Sequence, residues 1–279
     1  MDYLNRNQAP FDDKIWDAID EAAVDAARER LTGRRFLDVE GPFGVGLTSI
    51  EVGNDDCCRQ PEAHEAGAIM GRAVSVPMLR RSFRLSIRRV AAHLESGQPL
   101  DLAPAQDAAE AVADREEEFV YRGQPDFGVF GLLTAEGRQH HEGGDWSILD
   151  GALHDVLVAA TKLDDAGFRG PYALALAPAL YNGLFRIYPG TDTLQLEHLK
   201  RLCTRGIYKA PVEGGLLVDA PRVGVLVVGQ DLRAGYIGQD GVHYQLYVAE
   251  SLVLRIDEPK AACTIGARID LTSNAQPRS

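Results

Sequence analysis

The first clear pattern along the chain is a stripe of apolar side chains at helical spacing. Asp12 can accept hydrogen bonds from the free N–H groups of a first helical turn, and Phe11 can pack on Trp16. Gly33 is placed to end the helix in the left-handed conformation. The pattern predicts a helix that runs to Leu31 with one buried face. Its apolar positions recur at a 3.6-residue period, at Ile15, Trp16, Ile19, Ala22, Ala23, Ala26 and Ala27.

Two more helical stripes follow in the middle of the chain. Pro104 stands where a first helical turn tolerates proline, and the stripe after it predicts a helix over residues 105–122. Ser147 and Asp150 resemble a capping box at the start of the second stripe, and Gly167 is placed to end it. The positions of this second helix that we expect to face the core are Ile148, Leu149, Ala152, Leu153, Val156, Leu157, Ala160 and Leu163.

Strand patterns surround these helices. Alternating or short apolar runs predict strands at residues 74–90, 172–177, 216–218, 223–228 and 244–256, with short helices at 178–187 and 194–205. Residues 51–73 have no steady period, and a long excursion of this kind in a compact protein usually has a function. The chain therefore has the pattern of an α+β protein.

Composition and charge narrow the possible functions. The 279 residues are 45% hydrophobic and 25% charged, as in ordinary packed proteins. A formal net charge of -12 repels nucleic acid and anionic membranes. No apolar stretch approaches the roughly 20 residues of a membrane span, and the start of the chain lacks a signal-peptide pattern. We expect a cytosolic protein with no nucleic-acid or membrane partner.

No catalytic motif is present in the sequence. The nucleophile elbow, the phosphate-binding loop, the zinc helix and the dinucleotide fingerprint are all missing. His140 and His141 stand beside Glu142, a donor-rich cluster that we interpret as an exposed loop. An enzyme of small oligomeric size, built on these histidines or on thiols, stays as an alternative from another class.

The cysteines and the acidic residues give no stronger signal. No cysteine pair has the C-x-x-C spacing, and we interpret all four as reduced thiols. They are Cys57, Cys58, Cys203 and Cys263. Four acids of the helix over 105–122 are interpreted as facing water for the most part, because consecutive helical positions point in different directions. They are Asp114, Glu116, Glu117 and Glu118.

Several separated motifs, in one order along the chain, resemble those of family 1 encapsulins, which are bacterial shell proteins with the fold of tailed-phage capsid proteins. The first are L-x-R-x-x-A-P at residues 4–10, W-x-x-I-D at 16–20 and L-x-G-R-R-F-L-D-V-E-G-P-F-G at 31–44. The resemblance continues through E-F-V-Y-R-G at 118–123, G-L-L at 131–133, G-P-Y at 170–172 and G-Q-D-L-x-x-G-Y at 229–236. It covers nearly the whole chain.

The resemblance implies a division into three parts. Residues 1–50, 74–131 and 220–279 would form the peripheral (P) domain, with the inner-wall N-terminal helix, the spine helix and the C-terminal tail. Residues 51–73 would form the extended (E) loop that clasps a neighbouring subunit. Residues 132–219 would form the apical (A) domain around the symmetry axes. The excursion without a period then makes sense as an arm between subunits.

The resemblance also implies two functional surfaces. In the family, the N-terminal helix and part of the P domain form a groove for the C-terminal targeting peptides of cargo proteins. The positions that match this groove are Arg28, Leu31, Arg34, Asp38, Asp231 and Leu232. The alternative for Arg34 and Asp38 is that they only brace their own domain. The fivefold pore loop matches Tyr188, Pro189, Gly190, Thr191, Asp192 and Thr193.

The function implied is a hollow icosahedral shell of identical subunits, without catalysis of its own, in the bacterial cytoplasm. Its cargo would be a ferritin-like protein or a peroxidase. The resemblance favours the ferritin-like kind, and with it iron storage. No cofactor is expected: Ile87 and Val90 stand where some relatives bind flavin through aromatic residues, and iron would enter only with the cargo. A prophage-type major capsid protein, which would package DNA, is the alternative with the same fold.

Overall fold

The structure is a computed structural model that describes residues 3–57, 64–187 and 192–269, without the side chains of 54–57. The chain forms two compact units, each assembled from three separate segments. The first contains Met1–Leu31, Val39–Glu117 and Val227–Val253, and the second contains Thr32–Asp38, Glu118–Leu226 and Leu254–Ser279. Cys58 and residues 59–63 of the expected E loop lie outside the described residues.

The elements alternate between helices and strands along most of the chain. In chain order the helices are α1 (Asp13–Arg30), α2 (Ile87–Ser96), α3 (Ala103–Tyr121), α4 (Gly151–Asp165), α5 (Pro178–Gly183), α6 (Gln195–Leu202) and α7 (Ala220–Val223). The strands are β1 (Asp38–Glu40), β2 (Ser49–Cys57), β3 (Ile69–Ser75), β4 (Met78–Ser86), β5 (Gly123–Gln124), β6 (Val129–Phe130), β7 (Gln139–His141), β8 (Tyr172–Leu176), β9 (Gly206–Lys209), β10 (Gly215–Asp219), β11 (Gly224–Asp240), β12 (His243–Ile256) and β13 (Ala262–Ile265). None of the helices in the described part combines the length and apolarity needed to cross a membrane.

Helix α1 begins as its sequence predicts. The Asp12 side chain accepts a hydrogen bond from the backbone N–H of Ile15 at 3.0 Å, and the Phe11 ring meets Trp16 edge-on at 5.4 Å between centroids. The predicted end is wrong. The helix stops at Arg30, Leu31 is extended with φ -67° and ψ 124°, and Gly33 opens a 3-10 turn instead of a left-handed cap. The Leu31 side chain is buried, so the chain stays packed where it leaves the helix.

The first unit is built on a four-stranded sheet in the order β1-β11-β12-β4. Strands β12 and β4 pair antiparallel from His243 opposite Ser86 to Ser251 opposite Met78. The strand predicted over 74–90 is wrong in its last part, because α2 begins at Ile87. The Ile87 N–H donates to the carbonyl of Val242 at 3.0 Å, at the turn that ends the pairing, and Val90 is buried on the helix.

The described part of residues 51–73, the stretch without a steady period, belongs to an antiparallel pair of strands. Strands β2 and β3 pair from Ser49 opposite Ser75 to Cys57 opposite Ile69, with an irregularity between Val52 and Asp56. Nearly all of β3 is exposed. A strand exposed on both faces has no reason to alternate apolar and polar residues, and this explains the missing pattern.

The second unit is built on a mixed five-stranded sheet in the order β7-β13-β10-β8-β9. Strand β10 pairs antiparallel with β13 and β8, while β7 and β9 add parallel edges. Helix α4 begins at Gly151 without the predicted capping box, since Asp150 is left-handed at φ 71° and its side chain caps nothing. Gly167 follows the helix at φ +90°, as predicted.

Two expectations about burial are wrong. Ile148 and Leu157 are 65% and 47% exposed in the single chain, although the stripe of α4 predicted them as core. Glu116 and Glu117 are fully or almost fully buried, although they were expected to meet water. The reason lies in the helix period: these two acids stand four residues after Val112 and Ala113, on the buried face of α3.

Candidate binding groove

A groove of about 730 Å³ opens in the first unit beside α1 and β11. Three side chains of α1 line one wall. Asp20, Val24 and Arg28 are four residues apart and therefore lie on one face of the helix. The remaining lining residues come from the first residues of the chain, the loop after β1 and the middle of β11. They are Tyr3, Leu4, Pro42, Gly44, Val45, Gly229, Gln230, Asp231, Leu232 and Arg233.

The first residues of the chain are fixed along β11. The N–H of Tyr236 donates to the carbonyl of Leu4 at 2.9 Å, and the side-chain amide of Asn5 donates to the carbonyl of Tyr236 at 3.5 Å. The guanidinium of Arg6 donates to the carbonyl of Ala234 at 2.9 and 2.8 Å. Residues 4–6 therefore run antiparallel to residues 234–236 and close one end of the groove.

Arg6 also joins α1 to this end of the groove. Its Nη2 lies 2.7 Å from both carboxylate oxygens of Asp20, and its guanidinium lies 4.6 Å from the centre of the Trp16 ring. Asp20 Oδ1 accepts a further bond from the N–H of Ala234 at 3.0 Å. The charge of Asp20 is thus matched by Arg6, and the helix is held against the strand by charge-assisted hydrogen bonds.

The loop after β1 closes the other end. The N–H groups of Phe43 and Gly44 donate to the carbonyls of Val228 and Gly229 at 3.0 and 2.6 Å. Gly41 has φ +117°, and a Cβ at this position would collide with the carbonyl of Val228. Only glycine combines this backbone conformation with so close an approach.

The middle of β11 forms the floor of the groove. Leu232 is buried, while Asp231 and Arg233 on either side of it are exposed, as alternation along a strand requires. The N–H of Leu232 donates to Oδ1 of Asp231 at 3.0 Å. Asp231 and Arg233 therefore turn side chains of opposite charge to one face of the strand, and Leu232 turns an apolar side chain to the other.

The structure brings together half of the residues predicted for this groove. Arg28, Asp231 and Leu232 line it. Leu31 is buried at the end of α1 and is not among the lining residues. Arg34 and Asp38 belong to the second unit, where Asp38 Oδ1 accepts a bond from Arg205 Nη2 at 2.6 Å.

Sequence reasoning missed the other lining residues. The four-residue spacing from Asp20 through Val24 to Arg28 was available as a signal, because it marks one helix face. The contribution of Leu4 was not available, since its partner Tyr236 lies more than two hundred residues away in the chain.

The expected pore loop is described only at its end. Tyr188, Pro189, Gly190 and Thr191 lie outside the described residues, Asp192 is exposed and Thr193 is half-buried. Ile187 and Leu194 form an antiparallel bridge, and the N–H of Gln195 donates to the carbonyl of Arg186 at 3.0 Å. The two ends of the loop are therefore held together at its base.

The histidine cluster is part of a hydrogen-bonded arrangement of side chains. His141 ends β7 rather than lying in an exposed loop, and its Nε2 lies 2.9 Å from Oδ1 of the buried Asp155. Asp155 Oδ2 accepts bonds from Trp146 Nε1 at 2.8 Å and from the N–H of Gly144 at 2.7 Å. Burial acts to raise the pKa of Asp155, but these three hydrogen bonds outweigh it and the pKa lies below its ordinary value.

The two thiols that the structure describes do not have the environment of nucleophiles. Cys203 and Cys263 are free and buried, and burial raises the pKa of Cys203 to about 12 and that of Cys263 to about 11. Both are protonated near neutral pH, whereas a reactive cysteine needs a stabilised thiolate. Within the described residues, no three His, Cys, Asp or Glu side chains are grouped as a metal site would require.

Similarity to known proteins agrees with the fold. The family model Linocin_M18, described as "Encapsulating protein for peroxidase", matches residues 1–253. The type 1 encapsulin shell protein EncA of Myxococcus xanthus is 32% identical over 276 residues, which cover 95% of this chain and 96% of that protein. The descriptions of the family and of this relative name structural shell proteins, not enzymes.

Solved structures show the same fold. The virus-like particle protein of Pyrococcus furiosus aligns with a TM-score of 0.70 at 22% identity, over 90% of this chain and 98% of that one. The capsid protein of Myoviridae phage XM1 aligns with a TM-score of 0.55 at 15% identity, over 82% and 89%. The fold is that of tailed-phage capsid proteins, as the sequence motifs led us to expect. This chain belongs to the Linocin_M18 family of encapsulin shell proteins.

Proposed function

We propose that copies of this chain assemble into a closed, hollow shell in the bacterial cytoplasm and enclose a cargo enzyme by binding a peptide at its C-terminus. The observation that carries the proposal is the family match over residues 1–253, together with the nearly complete alignment to a shell protein of similar length. The residues 1–50, 74–131 and 220–279 would act as the P domain, and 132–219 as the A domain.

The paired strands β2 and β3 support the assembly of copies. A two-stranded ribbon is marginal in water unless it packs on something else. Ile69 and Met70 of β3 are 68% and 60% exposed in the single chain. Full burial of one such side chain contributes about 1.5–3 kcal/mol. We expect this ribbon, the E loop of the family, to bury these side chains against a neighbouring copy.

The groove beside α1 and β11 is the surface that we assign to the cargo peptide. Leu4, Val24 and Leu232 offer apolar contact, while Arg28 and Asp231 can fix the register of an extended peptide through polar bonds. Leu31, Arg34 and Asp38 would affect peptide binding only indirectly. Leu31 would do so by holding the end of α1, and Arg34 and Asp38 by bracing their own unit. For Asp38, the bond from Arg205 agrees with the bracing role.

Cargo loading tests this assignment. A fluorescent protein that carries the C-terminal tail of the organism's ferritin-like protein, or of its peroxidase, is co-expressed with the shell. We expect it to co-purify with shells of the wild-type chain. The amount that co-purifies should fall at least about tenfold with Val24→Asp, because this substitution puts a charge into the groove. Val24 is a sharper choice than Leu31, whose buried side chain also stabilises the fold.

The chain offers a matched control for this substitution. Val242→Asp makes the same change in the same unit, at a side chain that is exposed in the turn between β11 and β12. Shells of the Val242→Asp variant should take up as much fluorescent protein as wild-type shells do. Equal loading by Val24→Asp and Val242→Asp would remove the groove assignment. Failure of both tails to load would remove the proposed mode of cargo uptake.

Iron is the substrate that a ferritin-like cargo would require. Small and acidic residues at 188–193 would admit hydrated cations, and Asp192 is the acid among them. Asp192→Lys should slow iron uptake by loaded shells, with Asp192→Asn as the neutral control. Unchanged uptake in Asp192→Lys would refute the role of this loop. We expect no flavin, because Ile87 and Val90 supply no aromatic ring.

A further inference from the structure

Residues 3–6 form one wall of the groove, and three anchors hold this N-terminal wall in place. Tyr3 and Leu4 are among the lining residues. The Leu4 carbonyl accepts a bond from the N–H of Tyr236 at 2.9 Å. The hydroxyl of Tyr247 donates to the Tyr3 carbonyl at 3.5 Å. Arg6 is the third anchor, through its bonds to α1 and β11. The N-terminal wall is therefore bonded to α1, β11 and β12.

The anchor at Tyr247 depends on a glycine in the neighbouring strand. A Cβ at Gly235 of β11 would collide with the Tyr247 ring of β12. Glycine at this position leaves room for the ring to approach the backbone of β11. The guanidinium of Arg80 lies 3.8 Å from the centre of the same ring. Contacts with both residues fix the ring beside the carbonyl of Tyr3.

The side chains of the N-terminal wall are not fully packed in the single chain. Leu4 is half-buried, and Tyr3 is 62% exposed. A few hydrogen bonds of this kind can open locally at a lower cost than the unfolding of the whole unit. A peptide in the groove can cover the rest of the Leu4 side chain only while the N-terminal wall is docked on β11. Docking of the wall and contact with the peptide are therefore coupled.

We propose that the N-terminal wall is a movable part of the peptide site, which places Leu4 against a bound cargo peptide when it is docked on β11. This inference rests on the proposed function and adds to it a contact residue and an energetic coupling. Because the contact exists only in the docked state, peptide binding and docking stabilise each other by the same factor. A peptide that meets an undocked wall binds more weakly by that factor.

Truncation of Leu4 measures the factor through the affinity of the peptide. The probe is a fluorescent synthetic copy of whichever cargo tail loads in the experiment above, and the shells are assembled in its presence. Leu4→Ala should weaken binding about fivefold, since roughly half of a leucine side chain remains to be covered. Leu94→Ala is the matched control, because Leu94 is 53% exposed on α2 of the same unit and is not a lining residue. It should leave the affinity within about twofold of the wild type.

Hydrogen–deuterium exchange measures the same factor through the docking of the wall. The N–H of Tyr236 is bonded to the Leu4 carbonyl, so it is released when the wall undocks. Saturating peptide should slow its exchange about fivefold in shells of the wild-type chain. In Leu4→Ala shells, saturating peptide should slow it less than about twofold, because the coupling contact is removed. The N–H of Ile87, which is bonded to the carbonyl of Val242 at 3.0 Å, is the internal control and should not respond to peptide.

The outcomes separate this inference from the function on which it rests. Equal affinity of Leu4→Ala and Leu94→Ala shells for the peptide would overturn the movable wall and leave cargo uptake in place. Exchange at Tyr236 that saturating peptide leaves unchanged in the wild-type chain would do the same, and this measurement decides the question even if Leu4→Ala does not assemble. Failure of both cargo tails to load would overturn the inference and the proposed mode of uptake together.

Discussion

Substitution of Arg6 by alanine should release the N-terminal segment from the end of the groove. Arg6 makes a two-oxygen ion pair with Asp20, two bonds to the carbonyl of Ala234 and a contact over the Trp16 ring. Its side chain is 20% exposed, so solvent screens these interactions only in part.

The expected cost follows from these contacts. A hydrogen bond from a charged group contributes about 1.5–3 kcal/mol, an exposed ion pair about 0.2–1 kcal/mol and an exposed cation–π contact about 0.5–1 kcal/mol. The contributions overlap, because one guanidinium makes all of them. We therefore expect Arg6→Ala to favour local opening by about 2 kcal/mol, which is about a 30-fold change in an equilibrium constant.

Hydrogen–deuterium exchange measures this opening directly. The N–H of Tyr236 is bonded to Leu4 O, so its exchange reports release of the segment. Exchange at Tyr236 should accelerate about 30-fold in Arg6→Ala. Arg84→Ala is the control, because its ion pair with Asp240 at 3.3 Å joins two exposed side chains and contributes little. Unchanged exchange in Arg6→Ala, or equal acceleration in Arg84→Ala, would refute the reasoning.

Three further predictions concern stability and reactivity. Asp155→Ala leaves the N–H groups of Trp146 and Gly144 unpaired and should cost about 3 kcal/mol in guanidinium unfolding. Since the pKa of Asp155 is lower in the folded chain than in the unfolded chain, its ionised form stabilises the fold above about pH 4 and this stability is lost at lower pH. Asp155→Asn should flatten that acid dependence. Asp12→Ala should cost about 1 kcal/mol, seen as faster exchange in the first turn of α1. Cys203 and Cys263 should resist a thiol reagent at pH 8 until the chain unfolds, because both are buried and protonated.

Local chemistry explains the elements that the sequence predicted well. The start of α1 depends on Asp12 and Phe11, which act within a few residues of the turn they stabilise. Strand β11 was predicted only over residues 223–228, yet it continues to Asp240. Gly229, Gly235 and Gly238 interrupt the apolar pattern there. A Cβ at Gly235 would collide with the Tyr247 ring, so the interruption is itself a requirement of pairing across strands.

Periodicity identified apolar faces without identifying what covers them. Ile148 and Leu157 lie on the expected stripe of α4, and both are exposed in the single chain. Ile69 and Met70 in β3 are also exposed in the single chain, although no period predicted an apolar face there. A repeat along one helix or strand records that a face is buried in the working protein, but it does not tell a core from an interface. In the proposed shell, neighbouring copies would cover these side chains.

The groove could be predicted only in part for a similar reason. Arg28, Asp231 and Leu232, to which the motifs pointed, line the groove, whereas Leu31, Arg34 and Asp38 do not. The wall formed by the N-terminal segment depends on contacts between residues more than two hundred positions apart. No local pattern records such a pairing.

Assembly of the chain expressed alone is the most direct test of the account. Sedimentation velocity and electron microscopy at cell-like salt and pH should show closed, hollow particles of uniform diameter that contain no nucleic acid. A well-folded monomer or dimer as the stable species under those conditions would contradict the assignment as a shell protein.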